Sequence, residues 1–268
     1  MQAGFASNKF VSHLASIAKL TPDDIELLGR MPFTISYYGA HEDLYQKGDR
    51  PSCCCLLLQG YLCWVDSELD WRQIISIHVP GDVVDFHTVI SPVVRANLRA
   101  LTATVVGFVP HSYFREISAL SPTLRQALSL LHIIEDSRSR NWIVNLGSRS
   151  SLARVAHLVC EIMIRLRAVG EGRDYCFPCP FTQSDLAAAC AISPVHANRT
   201  VQELRRRNIL EWRTRTISIR DWPALVRIAG FKTDYLSLQD PEALLSDARS
   251  AEPTQHTPAM TPSRMSAS

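Results

Sequence analysis

Short runs of alternating apolar and polar residues predict a β-domain between residues 33 and 113. The candidate strands are rich in β-branched and aromatic side chains, and they cover residues 53–58, 61–65, 73–79 and 100–109. Turn signals separate these runs, namely Lys47-Gly48-Asp49, Gln59-Gly60 and Pro80-Gly81-Asp82. Strands at this spacing are typical of a small sandwich or barrel. A short helix over 21–28, with Thr21 as its N-cap, precedes the β-domain.

A long helix follows the β-domain, and its apolar residues recur with the spacing of a coiled coil. Ser121 is a natural N-cap and Pro122 a natural first helical residue. The repeat has steps of four and three residues and turns polar towards its end: Leu120, Leu124, Ala127, Leu131, Ile134, Arg138, Asn141 and Asn145. Two interpretations are open, packing of this face on the chain's own β-domain and pairing with a second copy. We expect the segment 121–145 to be a dimerisation helix.

Gly147 interrupts this pattern, and a second amphipathic helix is predicted from Ser150 to about Ala168. Its apolar residues recur at helical spacing and are expected to face a core: Leu152, Val155, Ala156, Val159, Ile162, Met163 and Leu166. We therefore place the start of a C-terminal domain at residue 146.

Two short helices joined by a tight turn are predicted over residues 182–207. Thr182 is a natural N-cap with Asp185 three residues later, close to a capping box. Ala191-Ile192 forms the turn, and Ser193-Pro194 begins the second helix. That helix is about 22 Å long at roughly 1.5 Å per residue, a length that fits the DNA major groove.

The second short helix separates an apolar face from a polar one. Ala197, Thr200, Val201 and Leu204 share one face and are expected to lie in the core. The other side chains point elsewhere: Val195, His196, Asn198, Arg199, Gln202, Arg205 and Arg206. Asn and Gln pair with adenine, and Arg pairs with guanine, so this face has the residue types that read DNA bases. The pattern predicts a helix-turn-helix.

An alternating segment over 209–220 predicts a β-hairpin, or wing, whose tip carries Arg213 and Arg215. Arginines at such a tip suit contact with phosphates. Arg205-Arg206-Arg207 alone would be typical of a solvated helix face. The succession of capped helix, turn, capped helix and basic hairpin favours a DNA-binding winged helix-turn-helix.

The charges of the chain segregate, although its net formal charge is only +2. Residues 1–145 carry 12 basic and 14 acidic side chains, whereas residues 146–222 carry 12 arginines and 7 acidic side chains. The near-zero average therefore hides a basic segment that coincides with the predicted helix-turn-helix.

The chain resembles regulators of the CRP/FNR family over roughly residues 25–222. The resemblance rests on the turn signals given above, the long helix and Leu146–Ser150, and most of all on Phe181–Leu186 and Ser193–Arg199. It implies an α+β chain with an N-terminal jelly roll of the cyclic-nucleotide-binding type, a central dimerisation helix and a C-terminal winged helix-turn-helix. The expected boundaries are 1–120, 121–145, 146–223 and a C-terminal extension over 224–268, disordered from about residue 247.

The resemblance also assigns roles within the helix-turn-helix. Val195 and Arg199 occupy base-reading positions, and Arg199 falls where the family has its guanine-reading arginine. His196 falls on a phosphate-facing position and Gln183 near a backbone contact. Ala191 replaces the usual glycine of the turn, where a left-handed alanine costs about 1 kcal/mol. The candidate DNA-binding residues are Thr182, Gln183, Ser193, Val195, His196, Asn198, Arg199, Gln202, Arg205, Arg206, Arg213 and Arg215.

The effector of the sensor domain is less well defined by the sequence. Asp85 and Phe86 stand where the family's cyclic-nucleotide-binding members have a Gly-Glu pair, and Val94-Arg95 replaces their Arg-Ser clamp. A phosphate needs an arginine and backbone N–H groups aimed at it. The sequence therefore favours a different effector over a cyclic nucleotide. The candidate effector residues are Gly81, Asp82, Asp85 and Arg95.

The cysteines do not match an iron–sulfur site of the FNR branch, which needs three thiolates near the N-terminus, because the first cysteine here is Cys53. Cys53-Cys54-Cys55 lie in a predicted strand with alternating faces, so they cannot bind one metal together. Cys176 and Cys179 have redox or zinc spacing without a second pair, and they are candidates for a thiol switch. No cofactor and no metal site are predicted.

We therefore expect a dimeric, sequence-specific transcription regulator whose jelly roll senses an effector and relays it through the central helix to the recognition helix 193–207. The alternative is a signalling module that binds a small ligand and a protein partner instead of DNA. An enzyme is not expected, since catalytic fingerprints are absent from the sequence.

The expected partners are a palindromic double-stranded operator, a second copy and an unidentified small-molecule effector, with RNA polymerase as a candidate. No stretch approaches the roughly 20 apolar residues of a membrane span, so we expect a cytoplasmic protein with no membrane partner.

Overall fold

The computed structural model of the protein describes residues 2–66, 72–213 and 215–246. Two antiparallel sheets form the N-terminal domain, and they confirm the predicted α+β class with its jelly roll. The strands are β1 (Thr34–Tyr38), β2 (Asp43–Tyr45), β3 (Cys53–Gln59), β4 (Leu62–Asp66), β5 (Gln73–His78), β6 (Asn97–Ala100) and β7 (Thr104–Pro110). One sheet has the order β1-β7-β3 and the other the order β2-β6-β4-β5.

The predicted single strand over 100–109 is wrong in its extent, because the chain changes sheets at residues 101–103. β6 pairs with β4 in one sheet, whereas β7 pairs with β1 and β3 in the other. During the crossing the Leu101 N–H donates to the Tyr61 carbonyl oxygen at 2.9 Å. The apolar run is therefore continuous in the sequence but interrupted in the fold.

Side chains fill the interior of the jelly roll. Strand β3 is buried on both faces, with Cys54 facing the helices and Cys55 facing the interior, as the predicted alternation requires. Trp64 lies across the interior and donates from its indole N–H to the Val84 carbonyl oxygen at 3.2 Å. The other residues of this cluster include Leu57, Leu62, Leu98, Val106, Tyr38, Tyr45 and Phe108.

Three helices cover one side of the jelly roll: α1 (Gln2–Ile17), α2 (Pro22–Gly29) and α3 (His111–Leu120). The predicted α2 begins with a complete capping box between Thr21 and Asp24. Neither α1 nor α3 was predicted. Phe10, Leu14 and Ile17 of α1 are buried against this side of the domain, at a helical spacing that the sequence already contained.

The residues of the predicted coiled-coil repeat lie on the face of the long helix α4 (Pro122–Ser148) that packs against its own chain. Leu124, Ala127, Ile134, Arg138 and Asn145 are buried in the single chain, so self-packing explains this face. Leu120 ends α3 and is exposed. A neighbouring stripe of α4 stays exposed: Ser129, Ile133, Asp136, Arg140, Ile143 and Val144. The helix also continues through Gly147, where the sequence predicted a break.

The C-terminal domain combines helices with a small sheet. Its helices are α5 (Ser151–Ala168), α6 (Gln183–Cys190), α7 (Pro194–Arg206), α8 (Trp222–Ala229) and α9 (Pro241–Ser246). Its strands are β8 (Cys176–Pro178), β9 (Leu210–Arg213) and β10 (Thr216–Ile219), in the order β8-β10-β9. The wing hairpin was predicted as β9 and β10, but β8 was not predicted, because three residues are too few for a strand pattern.

One apolar cluster joins the two domains. Val65 and Ile74 of the jelly roll are buried in the same cluster as Leu158 of α5 and Leu186 of α6, and α6 packs against β5. No helix in the described part of the chain is long and apolar enough to cross a membrane. The predicted disorder of residues 247–268 lies outside the described residues.

Candidate DNA-binding surface and effector site

A capping box fixes the N-terminus of α6. The Asp185 N–H donates to the Thr182 hydroxyl at 3.1 Å, and the Thr182 N–H donates to the Asp185 carboxylate at 3.0 Å. Asp185 is fully buried, and its other oxygen accepts a hydrogen bond from Arg72. The Thr182 side chain is therefore engaged in the cap, where it fixes the first turn of α6.

The turn between α6 and α7 has the predicted left-handed residue. Ala191 has φ 50° and ψ 51°, a conformation that L-residues with a Cβ adopt at a cost of about 1 kcal/mol. Ser193 then caps α7, and its hydroxyl accepts from the His196 N–H at 3.2 Å. These two features set the direction in which α7 leaves the turn.

The recognition helix α7 has the predicted division into two faces. Ala197, Thr200 and Leu204 are buried and Val201 is half-buried, whereas Val195 is 64% exposed. The remaining outward residues are also exposed, except that Asn198 is half-buried: His196, Arg199, Gln202, Arg205 and Arg206. The outward face therefore combines one apolar side chain with amide, imidazole and guanidinium groups.

The arginines of this surface differ in their partners. Arg206 makes a bidentate pair with Glu203 at 2.9 and 2.8 Å, and Arg207 donates to the same carboxylate at 2.7 Å. These hydrogen bonds lower the pKa of Glu203 to about 2, so it stays ionised at neutral pH. Among the described residues, Arg199 has no hydrogen-bond or ion-pair partner. Its guanidinium is therefore exposed and unpaired among the described residues.

Glu211, on the wing, also pairs with two arginines. It accepts hydrogen bonds from Arg213 at 2.7 Å and from Arg220. Arg205 contacts only the Gln202 side chain, at 3.3 Å, and Arg215 is exposed at the hairpin tip. Sequence reasoning missed both glutamates as parts of the site, although Glu203 lies three and four residues before its arginines.

A concave surface of about 300 Å³ brings several predicted residues together between α6, α7 and the wing. It contains Trp212, whose ring lies 6.3 Å from that of Phe181 and supports the floor of this groove. The predicted residues that line it are Thr182, Gln183, Asn198, Gln202, Arg205 and Arg213. His196 is directed elsewhere, since its Nε2 lies 2.9 Å from the Ser151 hydroxyl of α5.

The four candidate effector residues do not form one pocket. Asp82 is buried beside Arg165, His78 and His13, on the side of the helices. Burial alone would raise its pKa, but the Arg165 guanidinium and the hydrogen bond from His78 hold that pKa well below the ordinary value. The Gly81 carbonyl oxygen lies 3.2 Å from His13 Nδ1 in the same region.

Asp85 and Arg95 lie apart from Asp82 and Gly81, and they also lie apart from each other. Asp85 is fully buried and accepts from the Cys55 N–H at 2.6 Å, and burial raises its pKa to about 7. Arg95 is exposed at the surface. The candidate effector residues are thus split between the interior and the solvent.

The two candidate redox thiols, Cys176 and Cys179, also lie apart from each other. The Cys176 sulfur accepts from the Ser218 hydroxyl at 3.4 Å, and the Cys179 N–H continues the ladder by donating to the Arg215 carbonyl at 3.0 Å. Three extended residues span about 10 Å, beyond the roughly 7 Å limit for bridged Cα atoms. Burial raises the pKa of Cys179. Within the described ranges, no group of three His, Cys, Asp or Glu side chains is arranged to hold a metal ion.

Two family models match the chain, and together they cover more than half of it. A Crp-like helix-turn-helix domain matches residues 153–228, and a cyclic nucleotide-binding domain matches residues 35–120. The chain belongs to the CRP/FNR family of transcription regulators. These matches support a DNA-binding regulator with a cyclic-nucleotide-binding-like sensing domain, and they do not support the alternative of a signalling module with a protein partner.

Individual CRP/FNR relatives are distant. An anaerobic regulatory protein of Pasteurella multocida is 24% identical over 189 residues, which are 70% of this chain and 68% of the relative. The transcriptional activator protein FnrA of Stutzerimonas stutzeri is 22% identical over 72% of this chain and 79% of the relative. The structure of FixK2 from Bradyrhizobium japonicum matches with a TM-score of 0.66 at 20% identity, covering 75% of this chain and all of that one. The last comparison supports the fold.

Proposed function

We propose that this regulator acts as a homodimer and reads a palindromic operator through the exposed face of α7. The observation that carries the proposal is Arg199, which has no partner among the described residues, while Glu203 and Glu211 hold Arg206, Arg207 and Arg213. A free guanidinium on the outer face of a capped helix can donate two hydrogen bonds to the edge of a guanine.

The other residues of the surface divide into three roles. Val195, Asn198 and Gln202 would contact base edges beside Arg199, since they lie on the same side of α7. Gln183, Arg205 and Arg215 would contact phosphates at the margins. The hydroxyls of Thr182 and Ser193 are used in caps, so these two residues orient the helices.

The homodimer would form along the exposed stripe of α4. Ile133 and Ile143 are 56% and 70% exposed in the single chain, and an Asp136–Arg140 ion pair of 2.7 Å lies between them. The stripe from Ser129 to Ile143 has steps of four and three residues, the spacing of a coiled-coil contact, with apolar side chains at Ile133 and Ile143 and the ion pair between them. Two recognition helices paired in this way would bind half-sites about one helical turn apart.

The proposal also covers signal transmission, the compartment and the cellular partner. An effector bound by the sensor domain would change the arrangement of α4 and hence of α7. Because a DNA-binding regulator acts on the chromosome, we propose the cytoplasm as its compartment, with RNA polymerase as a candidate partner at promoters. We assign it no catalytic activity, since its family consists of regulators.

A mobility-shift assay on an operator selected from random DNA tests the reading of bases. Arg199→Ala should weaken specific binding by about tenfold or more, which corresponds to the roughly 1–3 kcal/mol of a bidentate contact to guanine. Arg30→Ala, which removes the same charge at the C-cap of α2, is the matched control and should bind as the wild type does. Unchanged sequence preference in Arg199→Ala would contradict the assignment of α7.

Sedimentation of the full chain tests the dimer. Ile133→Glu places a charge in the proposed contact and should shift the protein towards monomers. Ile25→Glu places the same charge on α2, where Ile25 is also exposed, and should leave the assembly unchanged. A dimer of undiminished stability in Ile133→Glu would exclude this stripe as the interface.

A further inference from the structure

A cavity of about 240 Å³ lies where the jelly roll, the long helix α4 and the C-terminal domain meet. Its walls include residues from α1, the segment 78–87, α4, the end of α5 and the segment around Leu236 and Leu238. Neither α1 nor residues 234–238 fall within the two matched family models. Segments outside both matched ranges therefore complete the cavity.

The jelly-roll interior offers a different environment. Tyr45 and Phe108 pack there with ring centroids 6.2 Å apart, and Trp64 is fixed by its hydrogen bond to Val84. The cavity lies on the other side of the segment 83–86, where Phe86 packs against Phe114 and His132. An effector that fills this space would contact α4 and α5 directly.

The carboxylates that line the cavity are already paired. Asp82 is bound to Arg165, and Glu135 is bound to Arg138 at 2.6 Å. Asp136 is bound to Arg140 at 2.7 Å. A cationic ligand would therefore find no unpaired carboxylate among the described lining residues, and it would have to displace an arginine.

Two histidines of the lining lack such partners. The Nε2 atom of His132 is buried and has no hydrogen-bond partner, and its ring lies 5.0 Å from that of Phe86. Burial lowers the pKa of His132 and of His87, and His132 and Arg95 lower the pKa of His87 further, whereas the Glu135 carboxylate opposes the shift at both rings. Because Glu135 is itself bound to Arg138, the unpaired Nε2 of His132 is left as a buried hydrogen-bonding group that a carboxylate oxygen can satisfy.

The size of the space limits the ligand. Drug-sized ligands occupy pockets of roughly 300–1,000 Å³, and an apolar cavity of about 150 Å³ can hold benzene. The apolar part of this lining includes Phe86, Leu131, Ile134 and Leu238. One ring or a short branched chain, together with one charged group, matches this volume and this lining.

We propose that the cavity binds a small monocarboxylate with an aromatic or branched aliphatic body. The carboxylate accepts a hydrogen bond from His132 Nε2, and the body packs against Phe86, Leu131 and Ile134. This site does not depend on the proposed DNA contacts, so binding is measured in the absence of DNA.

Isothermal titration of the full chain with sodium benzoate and with 3-methylbutanoate tests the proposal, with the corresponding amides as neutral controls. At least one carboxylate should bind about tenfold or more tightly than its own amide, because a charged hydrogen bond contributes roughly 1.5–3 kcal/mol. Equal affinity for acid and amide, or no binding of either acid at about 10 mM, would overturn the proposal.

Variants locate the site. His132→Leu should weaken carboxylate binding by about tenfold or more, and it removes no hydrogen bond of the free protein. Asn141→Leu is the matched control, because the Asn141 Oδ1 is also buried without a partner on α4 but does not line the cavity. Leu131→Trp, which fills the space, should also abolish binding in a chain whose circular dichroism is unchanged. Wild-type affinity in both His132→Leu and Leu131→Trp would exclude this cavity.

Discussion

The guanidinium of Arg72, the residue before β5, donates a hydrogen bond to the buried carboxylate of Asp185 in the first turn of α6. The second oxygen of Asp185 closes the capping box with Thr182. One carboxylate therefore both begins the first helix of the DNA-binding motif and ties that helix to the sensor. The two roles can be separated by mutation.

Asp185→Ala should lower the free energy of unfolding by about 2–4 kcal/mol, because it removes the cap and leaves buried donors unpaired. Arg72→Ala should cost about 1 kcal/mol, since Arg72 is partly exposed and the cap remains intact. Urea denaturation of the full chain measures both. Because Asp185→Ala removes both the cap and the pair with Arg72, a larger loss in Arg72→Ala would show that the carboxylate of Asp185, buried without its partner, is itself destabilising.

Val195 should read the methyl group of a thymine. It is the apolar side chain of the outward face of α7, one turn before Arg199, and apolar side chains recognise thymine through its methyl. Replacing that thymine by deoxyuridine should weaken binding about fourfold, the equivalent of roughly 0.8 kcal/mol for one buried carbon.

The Val195→Ala variant serves as the control for the thymine contact. It should bind thymine and deoxyuridine operators nearly equally in a competition mobility shift. If no thymine of the selected operator were sensitive to this replacement, Val195 would not contact a base methyl.

Glu203→Gln should strengthen DNA binding. The substitution frees Arg206 and Arg207, and two further phosphate contacts would raise affinity by roughly threefold to tenfold at low salt. They would also steepen the salt dependence by about 0.9 per contact. Glu116→Gln changes the charge equally on the exposed surface of α3 and should have little effect. A loss of affinity in Glu203→Gln would mean that the carboxylate positions the arginines for DNA.

Asp85 should make the protein less stable as the pH rises through neutrality. Its pKa in the fold is raised to about 7 by burial, above its value in the unfolded chain. The folded state thus binds the proton more tightly, and the stability that this provides is complete below about pH 4 and is lost as the pH rises through 7.

Asp85→Asn isolates this contribution. The amide oxygen can still accept from the Cys55 N–H, but the group no longer ionises. Denaturation midpoints of wild type and variant should diverge between pH 5 and 8 in favour of the variant, at about 1.4 kcal/mol for each unit of pKa difference at most. Parallel curves across this range would show that Asp85 ionises with its ordinary pKa.

The features that depend on local chemistry were predictable from the sequence. Thr182 with Asp185, and Ser193 with Pro194, act within one helical turn, so their caps were found at the expected residues. The buried face of α7 followed from spacing alone. The left-handed turn at Ala191 followed from comparison with the family's glycine.

The features that depend on tertiary neighbours were not predictable in this way. The repeat beginning at Leu124 looked like a dimer seam, but α1 and the jelly roll cover it within one chain. Strand β8 forms because its three residues pair with the edge of β10, a strand that is distant in the sequence. Asp82 and Asp85 are separated because the chain turns between them, so that Asp82 pairs with Arg165 on the side of the helices and Asp85 accepts from the Cys55 N–H.

The apolar cluster that joins Val65 and Ile74 to Leu186 has a thermodynamic consequence. Any swing of α6 and α7 away from β5 would bring these side chains into contact with water, at roughly 25 cal/mol for each Å² of apolar surface. A signal that reorients the recognition helix must supply that free energy. Such a rearrangement would carry the positive heat-capacity change of hydrating apolar surface, which calorimetry of effector binding would register.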